Sequence, residues 1–385
     1  MLATNLESAV SETSNNSVQD PIRVMMVDDS AVIRGLITRI LEADNTIKVA
    51  VSVGNGELAV KNLSRYDIDV IVLDIEMPVM DGLTALPKLL EVDPGVKIIM
   101  ASTLTERNAD ISLRALEAGA TDYIPKPTSS RGISAEGDFR RELIDKVKAL
   151  GMARRRNRTL SEKDGRAKGP VFKAASVQLG PPHEKISLRE PGKDKPDVLA
   201  IGSSTGGPQA LFSFLGALKK DIKAPILITQ HMPAMFTAIL AEHINRMTGW
   251  PCSEAKDGEA IRAGHIHVAP GGYHMTVANK GSQRVIILDQ GPPENFCRPA
   301  VDPMFRSAAK VFGSRVIGVV LTGMGSDGAK GGKEITQAGG TIVAQDEKSS
   351  VVWGMPGAVA AAGICSAVLP LDELASYVMK HAGGP

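Results

Sequence analysis

The chain has 385 residues, which at about 100–200 residues per domain predicts two or three domains. Lysine and arginine number 44 against 43 acidic residues, a formal charge of +1, so no global field steers the protein to nucleic acid or membrane. Three cysteines (Cys252, Cys297, Cys365) without metal spacing favour a reducing, cytoplasmic setting, and no apolar run nears the roughly 18 residues that span a bilayer.

Residues 1–20 are rich in Ser, Asn and Thr and read as a disordered tail, without the basic and apolar regions of a secretion signal. From Ile22, strand-like and helix-like segments alternate. IRVMMV leads to a helix from Ser30, then KVAVSV, a helix near 58–63, DVIVLD, a helix over 83–90, KIIMAS, a helix over 110–118, TDYI and a closing helix over about 138–149. That alternation predicts a flavodoxin-like, doubly wound parallel sheet over residues 21–150.

The ends of these strands carry polar groups: Asp28 and Asp29, then Asp74, Ser102 and Lys126. In an open parallel sheet they meet at the carboxyl edge. Three carboxylates there repel one another unless a hard cation such as Mg²⁺ sits between them. The arrangement suits phosphoryl transfer to Asp74, with Lys126 and the Ser102 hydroxyl holding phosphoryl oxygens. Singly, each residue also reads as a helix cap or a surface partner. VDDS (27–30), LDIEMPVMDG (73–82), Ser102 and DYIPKP (122–127) together resemble the receiver domains of two-component response regulators. The resemblance implies Asp74 as phospho-acceptor and Asp28 with Asp29 as the acidic pocket. Mg²⁺ would be held by Asp29, Asp74 and the Glu76 carbonyl, with Ser102 and Tyr123 as the switch pair and a histidine kinase as phosphodonor. An insertion after Ser102 leaves Thr103 as the alternative hydroxyl.

Residues 151–195 are charged, carry Pro and Gly, and show little apolar periodicity, which predicts a linker. The arginine run at 154–158 reads as its solvated face rather than a nucleic-acid contact.

From Pro196 a second α/β domain runs to residue 385, with an antiparallel stretch near 265–289. DVLAIGSSTGGP (197–208) reads as strand, sharp turn and helix, and Gly202–Gly206 fits G-x-S-x-G. Such a turn lifts Ser204 clear of a sheet; a phosphate-cradling loop is the other reading of the same pattern. A serine nucleophile needs a base and a group to orient it. His231 closes the strand PILITQ, and Asp327 lies in the glycine-rich loop after VIGVVL. Three comparable strand ends thus carry a Ser-His-Asp set, and the amides of Gly323–Gly325 face the same edge as oxyanion donors. His265, His267 and His274 form a weaker alternative, a metal site. For a nucleotide site, the second glycine is missing and Asp221 lies in a charged turn rather than at a strand end.

IGSSTGGP, ITQHMP, HIHVAPGGYHM, DQGPPENFCRPAVDPMF, LTGMGSDGAKG and VVWGMP resemble the catalytic domain of the CheB family, the chemotaxis protein-glutamate methylesterases. With the receiver ahead, the likeness spans nearly all of the chain except tail and linker. It implies a Rossmann-like domain with Ser204 as nucleophile, His231 as base, Asp327 as its orienter and the Met324 amide as oxyanion donor. The implied substrates are glutamate methyl esters and glutamines of chemoreceptors. The esterase itself would need no cofactor, no nucleic acid and no membrane insertion. A regulator with a nucleotide- or DNA-binding output is the alternative, disfavoured by nearly 190 near-neutral α/β residues where a helix-turn-helix would stand.

Overall fold

A computed structural model describes residues 20–103, 105–126, 133–164, 186–220 and 222–382. Residues 1–19 of the predicted tail, 165–185 of the predicted linker, and Asp221 lie outside these residues.

The N-terminal half alternates β1 (Ile22–Val27), α1 (Ala31–Glu42), β2 (Ile47–Val53), α2 (Gly56–Leu63), β3 (Val70–Asp74), α3 (Gly82–Val92), β4 (Lys97–Ser102), α4 (Glu106–Glu117), β5 (Asp122–Pro125) and α5 (Ile133–Asp164). The five strands pair in parallel in the order β2-β1-β3-β4-β5. Every residue of β3 is buried, as an apolar run covered by helices on both faces requires. The order reverses between β1 and β3, which opens a crevice at their carboxyl ends.

Helix α5 corrects the predicted end at 149 and the linker reading after it, since it runs 32 residues to Asp164. Of the arginines at 154–158, Arg154 is buried and Arg155 and Arg156 are half-buried, while Arg158 stays exposed as expected. Arg154 pairs with Asp93, Arg155 with Asp69 at 2.7 Å and Arg158 with Asp67 at 2.7 Å, all on the N-terminal half. Arg156 reaches Glu347 of the C-terminal half at 2.6 Å. The carboxylates that hold this segment helical are remote in sequence, so a local reading of charge misses them.

The C-terminal half comprises β6 (Val198–Ser203), α6 (Gly207–Ala217), β7 (Ile226–Gln230), α7 (Phe236–Thr248), β8 (Cys252–Glu254), β9 (Ile266–Val268), β10 (His274–Lys280), β11 (Gln283–Asp289), α8 (Val301–Phe312), β12 (Val316–Val320), α9 (Ala329–Gln337), β13 (Thr341–Gln345), α10 (Met355–Ala361), β14 (Ala367–Leu369) and α11 (Leu371–Ala382). Seven strands form a parallel sheet in the order β14-β13-β12-β6-β7-β9-β8. The antiparallel element is narrower than expected. HIHVAP supplies β9, a buried parallel strand of the main sheet, and only β10 and β11 form a hairpin.

The two halves pack closely. One apolar cluster runs from Leu116 and Tyr123 into Phe236 and Leu240. The Tyr123 ring stacks on Phe236 with centroids 4.5 Å apart and planes at 12°. His243 of α7, buried, meets Glu117 at 2.6 Å and Asp110 at 3.0 Å on α4, while Gln209 Nε2 donates to the Leu116 and Ala120 carbonyls.

Candidate active site

Ser204 follows β6, which lies between β12 and β7 in the parallel sheet. Its neighbours are disposed of by the pleat. Ser203 is fully buried and donates its hydroxyl to Gln230 Oε1 at 2.7 Å, and Thr205 is buried too. Ser204 alone of the three hydroxyls is half-buried at the strand end. Its N–H donates to the Thr322 carbonyl at 3.1 Å, and Gly207 N–H donates to its own carbonyl at 2.7 Å, closing the turn through Gly206 at φ +75°. Gly323 is required by proximity: a Cβ there would stand 2.8 Å from the Ser204 Cβ. Beside this serine, the Met324 N–H enters no hydrogen bond among the described residues.

His231 leaves β7 with its backbone N–H donating to the Ser203 carbonyl at 3.1 Å. Its Nε2 lies 2.7 Å from Asp327 Oδ2. Asp327, 1% exposed, is held from every side: Oδ2 accepts from Val301 N at 2.6 Å, and Oδ1 accepts from Asp302 N, Gly328 N and Asn295 Nδ2 at 2.9–3.0 Å. Two of these donors open α8, so a helix N-terminus supports the carboxylate. Burial alone would raise the Asp327 carboxyl; the hydrogen bond and charge of His231, with these amides, outweigh it and hold the group below its ordinary value. A carboxylate only accepts, so when the ring is neutral its single proton stays on Nε2 and Nδ1 carries the lone pair.

That lone pair does not face Ser204. Cys297 Sγ lies 3.3 Å from His231 Nδ1, and Ser204 makes no hydrogen bond to the ring. Burial opposes a charged imidazole, but Cys297 and Asp327 overcome it and push His231 up to about 10. Sequence reasoning gave Cys297, Asn295 and Asp302 no role, although all three lie in or beside the motif DQGPPENFCRPAVDPMF. Asp302 caps a neighbouring helix, its Oδ1 accepting from Gly328 N at 3.0 Å and Gly331 N at 2.7 Å.

His265, His267 and His274 do not assemble a metal site. His267 pairs with Glu259 at 2.9 Å, His265 meets the Ser253 hydroxyl at 2.8 Å, and His274 lies between Pro292 O and Ala300 N. Burial drives His265 down to about 4.

In the N-terminal half, Asp28, Asp29 and Asp74 converge, one oxygen of each within 4.8 Å of the others. Among the described residues this is the one such grouping. Lys126 Nζ sits 2.6 Å from Asp74 and 2.7 Å from Asp28 Oδ2. The second contact is an ion pair without hydrogen-bond alignment, which leaves a buried Asp28 oxygen with unused acceptor capacity. Three hard oxygen donors, one of them exposed on Asp29, fit a divalent cation such as Mg²⁺. Burial raises the Asp74 carboxyl although Lys126 pulls it down. Glu76 is exposed at the rim. The buried Ser102 hydroxyl accepts from Ser112 of α4 at 3.2 Å, and Thr103 accepts from Asn108 at 2.6 Å. Tyr123 is buried under Phe236.

Known proteins settle the lineage. A "CheB methylesterase" family model matches residues 199–378, and a "Response regulator receiver domain" model matches 24–136. Protein-glutamate methylesterase/protein-glutamine glutaminase 1 of Paramagnetospirillum magneticum is 58% identical over 96% of this chain and 98% of its own length. The chain belongs to the CheB family. A second CheB relative, protein-glutamate methylesterase/protein-glutamine glutaminase of Azospirillum brasilense, is 61% identical over 94% of this chain and 93% of its own. A solved CheB methylesterase catalytic domain from Thermotoga maritima is 37% identical and covers 49% of this chain and 99% of its own, with a TM-score of 0.47. The family carries a receiver and an esterase, not a DNA-binding output.

Proposed function

We propose that this protein hydrolyses glutamate methyl esters on chemoreceptors, releasing methanol, and converts receptor glutamines to glutamates; its relatives are named protein-glutamate methylesterase/protein-glutamine glutaminase. The observation that carries the reading is the His231–Asp327 pair at 2.7 Å beside Ser204 at the open edge of a parallel sheet. Ser204 Oγ attacks the ester carbonyl, and its proton passes to His231 Nδ1 once the ring is free of Cys297. Asp327 keeps Nε2 protonated and steadies the imidazolium. The Met324 N–H stabilises the oxyanion. Protonated His231 then hands the proton to the departing methoxide, or to the departing amide nitrogen, which leaves as methanol or ammonia; water attacks the acyl-enzyme with His231 as base, and the proton returns to Ser204 as the glutamate is released.

Control belongs to the receiver, with a chemotaxis histidine kinase as phosphodonor. Asp29, Asp74 and the Glu76 carbonyl would hold Mg²⁺, which supplies charge neutralisation for phosphorylation of Asp74. Lys126 and Ser102 bind the phosphoryl oxygens, so Ser102 must leave Ser112 to do so. No helix among the described residues is long and apolar enough to cross a membrane, and a cytoplasmic location suits a substrate on the cytoplasmic part of a receptor. Methanol release from a methylated chemoreceptor tests the assignment: wild type should release it, Ser204→Ala should not. Release that survives in Ser204→Ala would overturn the nucleophile, and no release by wild type would overturn the activity.

A further inference from the structure

His231 offers one lone pair, and two proton donors compete for it. With Nε2–H committed to Asp327, only Nδ1 can accept, and the group on Nδ1 is the Cys297 thiol at 3.3 Å, not Ser204. Cys297, His231 and Asp327 therefore form a hydrogen-bonded chain of nucleophile, base and orienting acid, the arrangement that activates hydrolytic thiols. The thiol is held in place. Glu294 and Cys297 exchange backbone hydrogen bonds at 3.1 and 2.9 Å, which fixes the direction of the Cys297 Cβ. It is also reachable, being half-buried next to Phe296, which is 79% exposed. Neither of the other thiols has such a partner. Cys365 is fully buried, and burial pushes Cys252 and Cys365 each up to about 12.

We propose that Cys297 is a second nucleophile served by the same base, and that it is a site of reversible oxidation by hydroperoxides. The sulfur attacks one peroxide oxygen while its proton moves to His231 Nδ1; the S–O bond forms and the O–O bond breaks. The departing hydroxide, or alkoxide, takes the proton from Nδ1 and leaves as water or alcohol. Sulfur loses two electrons and the peroxide gains them, leaving a sulfenic acid. Its oxygen then stands on Nδ1, so Ser204 has no acceptor for its proton and ester hydrolysis stops. A dithiol reverses the step: one thiol displaces water to give a mixed disulfide, and its second thiol releases Cys297 as the free thiol.

The loss of esterase rests on the methylesterase reading, whereas the chemistry at sulfur does not, so the two are read separately. Full-length protein is exposed to hydrogen peroxide with dimedone present, and adducts on the three cysteine peptides are timed by mass spectrometry. Cys297 should react about tenfold or more faster than Cys252 and Cys365. His231→Gln should slow Cys297 about tenfold and leave the other two unchanged. Asp327→Asn is the second variant and should also slow Cys297, since it disturbs the tautomer that leaves Nδ1 free. Faster labelling of all three thiols in a variant would mark unfolding, and the wild-type comparison then decides alone. In parallel, peroxide should abolish methanol release by wild type and dithiothreitol should restore it. Cys297→Ala, compared with its own untreated rate, should be unaffected by the same peroxide treatment. Equal labelling of the three wild-type thiols, or a Cys297 rate indifferent to both variants in folded protein, overturns the proposal. Rapid, His231-dependent labelling without methanol release from untreated enzyme would fault only the methylesterase reading.

Discussion

Three adjacent hydroxyls, Ser203, Ser204 and Thr205, look alike in sequence, and the strand separates them. Ser203 points into the core and satisfies Gln230 Oε1, so its removal strands a buried acceptor, a cost of about 1–3 kcal/mol. Ser203→Ala should lower the denaturation midpoint while retaining turnover. Ser204→Ala should do the reverse, losing several orders of magnitude in kcat with unchanged stability, as for a nucleophile that acts as a unit with its base. A dead but stable Ser203→Ala would mean that the turn is read one residue out. The pattern G-x-S-x-G located this turn from sequence. The Cys297–His231 contact was not legible, because it joins residues 66 apart through a loop of no regular structure.

His231 also sets the dependence on pH. A base works only without its proton, and Cys297 and Asp327 hold that proton on the ring up to about 10. The rate should therefore climb with pH across the neutral and alkaline range. Cys297→Ala removes one of the two groups that favour the charged ring, so the climbing limb should move to lower pH. The stability effect has the opposite direction. A group whose pKa is raised on folding stabilises fully below its unfolded value of about 6.5. That contribution is lost as pH rises through about 10. A pH–rate profile of Cys297→Ala that overlays wild type would remove Cys297 from the environment of the base.

At the scale of elements, the site depends on two helix starts that cap each other. Asp327, from the loop before α9, accepts from the first amides of α8, and Asp302, from α8, accepts from Gly328 and Gly331 at the start of α9. Asp302 lies in the first turn of its own helix, but the partners of its carboxylate are 26 and 29 residues on, which no local pattern shows. The cap typically contributes about 0.5–2 kcal/mol. Asp302→Ala should cost about that much stability. It should also lower kcat, because the loop carrying Asp327 loses its support. A variant destabilised by that amount with unchanged kcat would show that α9 can slacken without moving Asp327. The alternation of strands and helices and the polar strand ends were legible because parallel strands covered on both faces are continuous apolar runs with polar ends. The course of α5 past 149 was not, because Asp69, Asp93 and Glu347 determine it from afar.

At the scale of the whole molecule, the receiver and the esterase share an apolar cluster and a charged seam on the flank of the catalytic crevice. Phe236, on which Tyr123 stacks, stands five residues after His231 at the start of α7. The Arg141 guanidinium of the receiver lies 4.2 Å over Phe296, the neighbour of Cys297. The seam is where control can be tested without touching the catalytic half. His243 is buried between Asp110 and Glu117, so neutralising both acids weakens the docked state from the receiver side alone. If docking restrains the esterase, Asp110→Asn/Glu117→Gln should raise the unphosphorylated rate. A coupling of 1–3 kcal/mol allows roughly 5–150-fold in total. The same free energy cannot be released twice, so stimulation of that variant by a small-molecule phosphodonor should shrink by the factor already gained. Asp74→Asn should stay at the basal rate with any donor, and combining it with the seam substitutions should recover activity without phosphorylation. A seam variant no faster than wild type, still fully stimulated by donor, would sink the restraint model in favour of a receiver that activates by forming new contacts.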